Sequence, residues 1–371
     1  MKIVSLEPFL LHVPVTGGSI ADSTHVVTDW GMPGCRILTD SGIEGFGYTG
    51  THARLASDKL LTSCIGEVFG PLLIGEDPRK PDALYKKLSS DPPTHWIGRA
   101  GVTQMALSAV DLALWDIKAK DARVPLWQLL GGNPANKIEA YNTDCGWLDR
   151  PLDKLVDDCR KMIEEEGFSA VKMKVGKADP QEDFKRVEAV RKGIGAEARL
   201  MVDANAKWDL PVALEWCHRF VNFDVTWLEE PLWHDDVQGH ASLAEAIETP
   251  LALGESLYSV DHFKEFVLAK ALHYLQPDAS RCGGITGLLQ VADLGLEHGL
   301  PVSPHHGDMM QAQIHAVISH PACNQLEYIP WTLHCFEEPV SVRDGIYQIP
   351  QSPGAGTTLK SDAMEAHGIR L

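Results

Sequence analysis

The chain has 371 residues, 44% of them hydrophobic, enough for one large core and a smaller second domain. Its 33 Lys and Arg stand against 51 Asp and Glu, and the resulting formal charge of −18 repels a nucleic-acid backbone and an anionic membrane surface alike. The N-terminus has no signal-like apolar stretch, no segment is long and apolar enough to span a membrane, and the eight cysteines show neither Cys-x-x-Cys nor zinc-ligand spacing. A soluble, cytoplasmic protein with reduced thiols is expected, with neither nucleic acid nor membrane as partner.

Residues 2–13 read as a strand, residues 35–39 as a second, and the turn at Asp40, Ser41 and Gly42 leads into a third. Between the first two, the polar segment 16–31, with His25, Asp29 and Trp30, is expected to be a loop, either over a pocket or simply on the surface. From about residue 53 to 122 the pattern turns helical. Ala106, Ala109, Val110, Ala113, Leu114 and Ile117 form one broad stripe for close helix packing, and Asp111 and Asp116 on that helix read as structural. Gly131 and Gly132 break the pattern.

An alternation of short apolar segments and helical patterns then runs to about residue 330. The strand candidates are 138–142, 170–175, 200–203, 226–229, 251–254, 274–277, 301–303 and 325–329. Helical patterns at 152–166, 180–192 and 210–220 separate the first four. Eight strands with crossover helices predict a parallel β/α barrel. Residues 341–371 supply one short strand and a turn, too little for a domain, and are expected to return to the N-terminal part.

Three strand ends carry Asp203, Glu229 and Glu255, 26 residues apart at each step, a length that holds one strand, one helix and two loops. A single acid at a strand end is ordinarily a helix cap or a solvated group. Three at equivalent ends would converge at one mouth of a barrel and repel unless a cation neutralised them, and all-oxygen ligation suits Mg²⁺. Lys172 and Lys174 precede them two apart, so both point to the same face of their strand, which in a barrel is the interior. Asp278 ends the sixth candidate strand and His305 the seventh. A carboxylate bonded to one imidazole nitrogen orients the ring and raises its basicity, so the two make a general acid/base dyad.

Taken together, Lys172-Met-Lys174, Asp203-Ala-Asn205, Glu229-Glu-Pro, Gly254-Glu255, Asp278 and His305 resemble the enolase superfamily and, within it, the mandelate racemase group. The run from Ser108 to Asp116, Gly131-Gly132, Cys282-Gly-Gly284 and the Pro353-Gly-Ala-Gly stretch support the match, which covers residues 2–360. The resemblance implies an α/β fold: a modified (β/α)7β barrel over residues 126–340, an N-terminal α+β cap domain over residues 1–125, and a C-terminal segment, 341–371, that completes the cap. It implies one Mg²⁺ held by Asp203, Glu229 and Glu255, with a Lys or His base abstracting the proton alpha to a carboxylate and the metal stabilising the ene-diolate. Lys172 then supports the developing charge, and Lys174, its pKa lowered by Lys172 and the metal, acts opposite His305. Glu327 matches a position that bonds the substrate carboxylate as the protonated acid.

The activity expected is dehydration of an acid sugar, an aldonate or aldarate, to a 2-keto-3-deoxy acid. The same residues serve a racemase or epimerase of a 2-hydroxy acid, while a structural or binding barrel leaves Lys174 and the dyad without a role. A lactonising cycloisomerase fits less well, because that group usually carries a lysine where this chain has Asp278. Asn205, Trp30, His25, His52, Arg281 and His306 are candidate substrate contacts, and selectivity is expected in segment 16–31, near residues 49–54 and in the loop after the seventh strand. A homo-oligomer, commonly an octamer, is the assembly the resemblance suggests.

Overall fold

A computed structural model of the chain describes residues 1–371 apart from Ala53 and residues 307–309. The N-terminal part is a three-stranded antiparallel sheet, Ile3–Pro14 against Asp29–Thr39 against Glu44–Tyr48. The second strand begins well before the expected residue 35, pairing Trp30 with Val13 and Asp29 with Pro14. Gly31, Pro33 and Gly34 concealed it, since glycine and proline are depleted in strands. Asp29 and Trp30 therefore leave the expected loop, and what remains holds a small hairpin, Ile20–Ala21 with Val26–Val27.

Helix Val102–Ala122 crosses this sheet and is buried around nearly its whole circumference rather than on one stripe. Two glycines of the third strand admit it: a Cβ on Gly47 would lie 1.9 Å from the Ala109 carbonyl oxygen, and one on Gly45 would lie 2.3 Å from that of Ala113. Its other side meets a barrel helix, Gly284–His298, through the Trp115 indole, which donates to the Thr286 hydroxyl at 2.9 Å, and through Asp111, which accepts from the Thr286 amide and hydroxyl. Asp116 accepts from the Phe46 amide at 3.1 Å and the Ala355 amide at 2.8 Å, tying the sheet to the C-terminal segment. Both aspartates are thus structural, away from the barrel mouth.

The barrel strands are Glu139–Asn142, Ala170–Lys174, Arg199–Asp203, Val225–Glu229, Leu251–Leu253, Tyr274–Leu275, a single bridging residue Val302, and Gln325–Tyr328. Each pairs in parallel with the next, and the eighth closes on the first from Gln325 with Glu139 to Tyr328 with Asn142. An α-helix follows each of the first seven before the next strand, whereas the eighth leads through a short 3-10 turn, Leu333–Cys335, into the C-terminal segment, the (β/α)7β plan. The seventh strand shrinks to one residue because Pro301 and Pro304 flank it and withhold ladder donors. Below the mouth, Tyr141, Ala170, Met201, Trp227 and Ala252 fill the interior as a packed plug.

The C-terminal segment does two things. Its hairpin, Val342–Arg343 with Ile346–Tyr347, adds to the first barrel strand through Ile346 and Glu139, and only then does the chain return to the N-terminal sheet, where Gly368 bridges Leu11 behind helix Ser361–His367. No helix among the described residues is long and apolar enough to cross a membrane.

Replacing Gly47 by alanine drives a methyl into the Ala109 carbonyl, and overpacking of that kind is expected to cost about 3 kcal/mol. Chemical denaturation reads this directly, and an unchanged midpoint would mean that the helix can move off the sheet.

Candidate active site

Register carries the functional side chains to one end of the barrel. Lys174 pairs with Asp203 and Asp203 with Glu229, so three neighbouring strands end level at the mouth. Just beyond, Asn205, Ala206 and Glu230 adopt left-handed backbone, with φ of 47°, 56° and 39°. That strain is held by the Ala206 amide donating to the Glu230 carbonyl at 2.7 Å and the Glu230 amide to the Ala252 carbonyl at 3.0 Å.

Oxygens of Asp203, Glu229 and Glu255 all lie within 4.8 Å of one another. Each is braced. Asp203 accepts from the Asn205 amide at 2.9 Å, and Glu229 accepts from the Trp227 indole at 3.0 Å and the Gln276 amide at 2.7 Å. Glu255 meets His305 Nε2 at 2.8 Å, while His305 Nδ1 bonds Asp278 at 2.8 Å. Lys172, fully buried, ion-pairs with Glu229, lies 2.8 Å from Glu327 and 3.7 Å from Asp203, and Lys174 ion-pairs with Asp203. Glu327 also accepts from the Thr143 hydroxyl and from the His306 amide at 2.9 Å.

A cavity of about 430 Å³ opens above this floor. Lys174, Asn205, Glu255, His305, His306 and Glu327 line it from the barrel side, with Arg281 from the loop after the sixth strand. His25, Trp30 and His52 line it from the N-terminal part. Trp30 lies 5.4 Å from the His52 ring and 5.2 Å from Trp331, and the rings of His25 and His52 are 4.8 Å apart. All six candidate substrate contacts therefore face one cavity, and Lys172, Asp203, Glu229 and Asp278 lie beneath it. Of the segments expected to set selectivity, Ala53 and residues 307–309 fall outside the described residues.

Without a metal or substrate bound, the charges of Lys174 and Glu327 are set by their protein neighbours alone. Burial opposes the Lys174 charge, but Asp203 and the neighbouring glutamates outweigh both burial and the repulsion of Lys172, so its pKa is raised and the lysine is protonated. Glu327 is ionised rather than neutral. Burial favours its acid form, yet Lys172, His305 and Lys174 together hold its carboxyl below the usual range. His305 is likewise a cation, because Glu255, Glu327 and Asp278 overcome the cost of burying it.

Sequence reasoning missed Glu230, Trp147, His234 and Asp22, which also line the cavity or its rim. Glu230 was visible as the second glutamate of the Glu-Glu-Pro motif, and Asp22 as an acid three residues before His25, to which it bonds at 3.2 Å. Trp147 and His234 carried no signal.

The floor fits a hard divalent cation. Three carboxylates converge, the Asn205 side-chain oxygen and Glu230 Oε1 are buried without a partner, and oxygen-only donors suit Mg²⁺. Protons fill the role of a cation where none is bound. Burial pushes Glu229 up to about 7, with Asp203 and Glu327 adding to it, and burial together with Glu255 pushes Glu230 well above the carboxylate range.

The "Enolase C-terminal domain-like" family matches residues 154–363 and the "Mandelate racemase / muconate lactonizing enzyme, N-terminal domain" family residues 15–131. The chain is 37% identical over 327 residues to the L-talarate/galactarate dehydratase of Salmonella typhimurium, covering 88% of this chain and 80% of that one. It is 34% identical to the 3,6-anhydro-alpha-L-galactonate cycloisomerase of Streptomyces coelicolor, covering 92% of each. Among solved structures, the L-talarate dehydratase from Polaromonas sp. JS666, complexed with Mg and L-glucarate, superposes with a TM-score of 0.90 at 35% identity, over 100% of this chain and 98% of that one.

The Glu229 proton gives a pH test. Its pKa is raised above the unfolded value, so its contribution to ion-free stability is present at low pH and is lost as pH rises through about 7. A bound cation replaces that proton. The rise in melting temperature on adding Mg²⁺ should therefore be several degrees larger at pH 8 than at pH 6. An equal rise at both would show that ion and proton do not compete.

Proposed function

Because the chain belongs to the mandelate racemase group of the enolase superfamily, we propose that it is a Mg²⁺-dependent acid-sugar dehydratase, a carbon–oxygen lyase converting an aldonate or aldarate to a 2-keto-3-deoxy acid. The observation that carries this reading is the joint presence of Lys174 and His305, the latter bonded to Asp278, in the wall of one cavity over a carboxylate triad.

Asp203, Glu229 and Glu255 would hold the ion. When bound, Mg²⁺ supplies positive charge against a substrate carboxylate as the adjacent carbon loses its proton. Lys172 adds a fixed ammonium between Asp203, Glu229 and Glu327, where water cannot screen it. Neutralising Asp203 removes the largest charge that keeps Lys174 protonated, which brings this lysine toward a proton-accepting state. Lys174, from the second strand, and His305, after the seventh, then act on one substrate. One takes the proton from the α-carbon, and the C–H electron pair forms the new carbon–carbon double bond. The other gives a proton to the β-hydroxyl, which leaves as water, and the resulting enol tautomerises to the keto acid. Asp278 at Nδ1 keeps the His305 ring turned with Nε2 toward Glu255 at the floor of the cavity. Glu327 and Asn205 line the part of the cavity next to that chemistry.

The protein is further proposed to be a cytoplasmic homo-oligomer. All eight cysteines are buried free thiols, as a reducing compartment allows, and adjacent Trp96 and Ile97 are 91% and 68% exposed, the kind of apolar surface that subunit contacts cover.

A semicarbazide screen of the Mg²⁺-loaded protein against aldonates and aldarates tests the activity. A keto-acid product abolished by EDTA is expected, whereas α-proton exchange in D₂O without keto acid would make it a racemase or epimerase. On the substrate found, Lys174→Ala and His305→Asn should each lower kcat by about 10³-fold or more, and Asp278→Asn by about 10²-fold. Full turnover by Lys174→Ala would exclude the mechanism.

A further inference from the structure

Arg281 is the cation in this cavity that the chemistry above leaves unused. Its Nε is shielded from solvent and has no hydrogen-bond partner, and among the described residues no carboxylate oxygen comes within ion-pairing distance of 4.0 Å. Asp278, Glu255 and Glu230 act on it only at longer range. A guanidinium that cannot shed its proton, with Nε shielded and no carboxylate at ion-pairing distance among the described residues, points to an anion supplied from outside the chain.

Its surroundings suit one kind of anion. His25, His52 and His234 all lie within range of the Arg281 charge and line the same cavity. Burial, then Arg281 and His25, push His52 down to about 3, and burial lowers His234, so these two are neutral rings that can donate a hydrogen bond. The rim acid Asp22 is already engaged by His25 and by the Thr24 amide and hydroxyl. A planar fork with neutral donors lining the same cavity matches a carboxylate, and a hydroxymethyl group in the same place would leave the guanidinium charge uncompensated.

We infer that Arg281, flanked by His52 and His234, forms the subsite for a second, distal carboxylate, so that the substrate class is the dicarboxylic aldarates rather than the monocarboxylic aldonates. This rests on the dehydratase reading of the same cavity. The two acids at the ends of an aldarate are then recognised differently, one at the lysine-bearing floor and the other at Arg281.

The test compares an aldarate with the aldonate of the same configuration, on Mg²⁺-loaded wild type, Arg281→Gln and Arg281→Lys, with thermal melting to verify that each variant folds. Wild type should favour the diacid in kcat/KM by at least about 10²-fold. Arg281→Gln should lower kcat/KM for the diacid at least about 10²-fold more than for the aldonate, chiefly through KM, and Arg281→Lys should restore only part of it. Equal losses on both acids, or a wild type indifferent to the second carboxylate, would overturn the inference. Calorimetric binding of the same pair separates it from the dehydratase reading. If neither acid is turned over, that reading fails, while tighter binding of the diacid that disappears in Arg281→Gln still upholds the distal subsite. Equal or absent binding of the two acids overturns it.

Discussion

Lys172 lies at the centre of the barrel mouth, its ammonium paired with Glu229, 2.8 Å from Glu327 and 3.7 Å from Asp203. Around it and Lys174 stand Asp203, Glu229, Glu230, Glu255, Asp278 and Glu327, more carboxylates than two lysines can neutralise. A buried like-charged cluster is tolerated only when cations or protons compensate it. Burial and neighbouring like charge raise Glu229 and Glu230, and the surrounding carboxylates raise the His305 ring, so protons can offset part of the excess while no ion is bound. A divalent ion among Asp203, Glu229 and Glu255 meets the same need, and the ionisation of every neighbouring group follows from which of the two is present.

This dependence sets the charges of Lys174 and Glu327 while no ion is bound. The expected lowering of the Lys174 pKa invokes Lys172 and the metal together; without the ion, Asp203 outweighs Lys172 and raises it. The Glu327 carboxylate meets Lys172 directly and also accepts from the Thr143 hydroxyl and the His306 amide, contacts that favour its ionised form while no substrate is bound. In each case the sign of the shift is set by contacts made across strands, which neither a motif nor its spacing contains.

The architecture divides the work. Barrel strands bring the lysines, the carboxylate triad and the dyad to one mouth, where the interior plug of Tyr141, Met201 and Trp227 gives them a rigid floor and the Trp227 indole orients Glu229 directly. The N-terminal sheet and hairpin contribute no member of that chemistry, yet His25, Trp30 and His52 close the cavity from their side. The buried helix Val102–Ala122 fixes the two parts to each other, through Gly45 and Gly47 on one face and Thr286 on the other. Reaction type is thereby separated from substrate shape, and loops at the roof can change without disturbing the floor.

Much of this was legible in the sequence because it is local. Equal spacing of Asp203, Glu229 and Glu255 reports a repeated strand and helix, the two-residue step from Lys172 to Lys174 reports a shared strand face, and helix 210–220 declares itself by its apolar period. Trp30 was harder, since Gly31, Pro33 and Gly34 argue against the strand that its pairing with Val13 creates. Likewise nothing in the chain marks Trp147 or His234 as cavity walls, and Arg281 looks like any loop arginine until it is seen lining the same cavity as His25, His52 and His234 with its Nε shielded and unpaired. Periodicity pointed to the barrel and equal spacing to the three carboxylates, while the motifs carried the resemblance to the family. Burial, charge state and the walls of the cavity depend on groups distant in sequence that meet only when the chain folds, and only the tertiary structure could decide them.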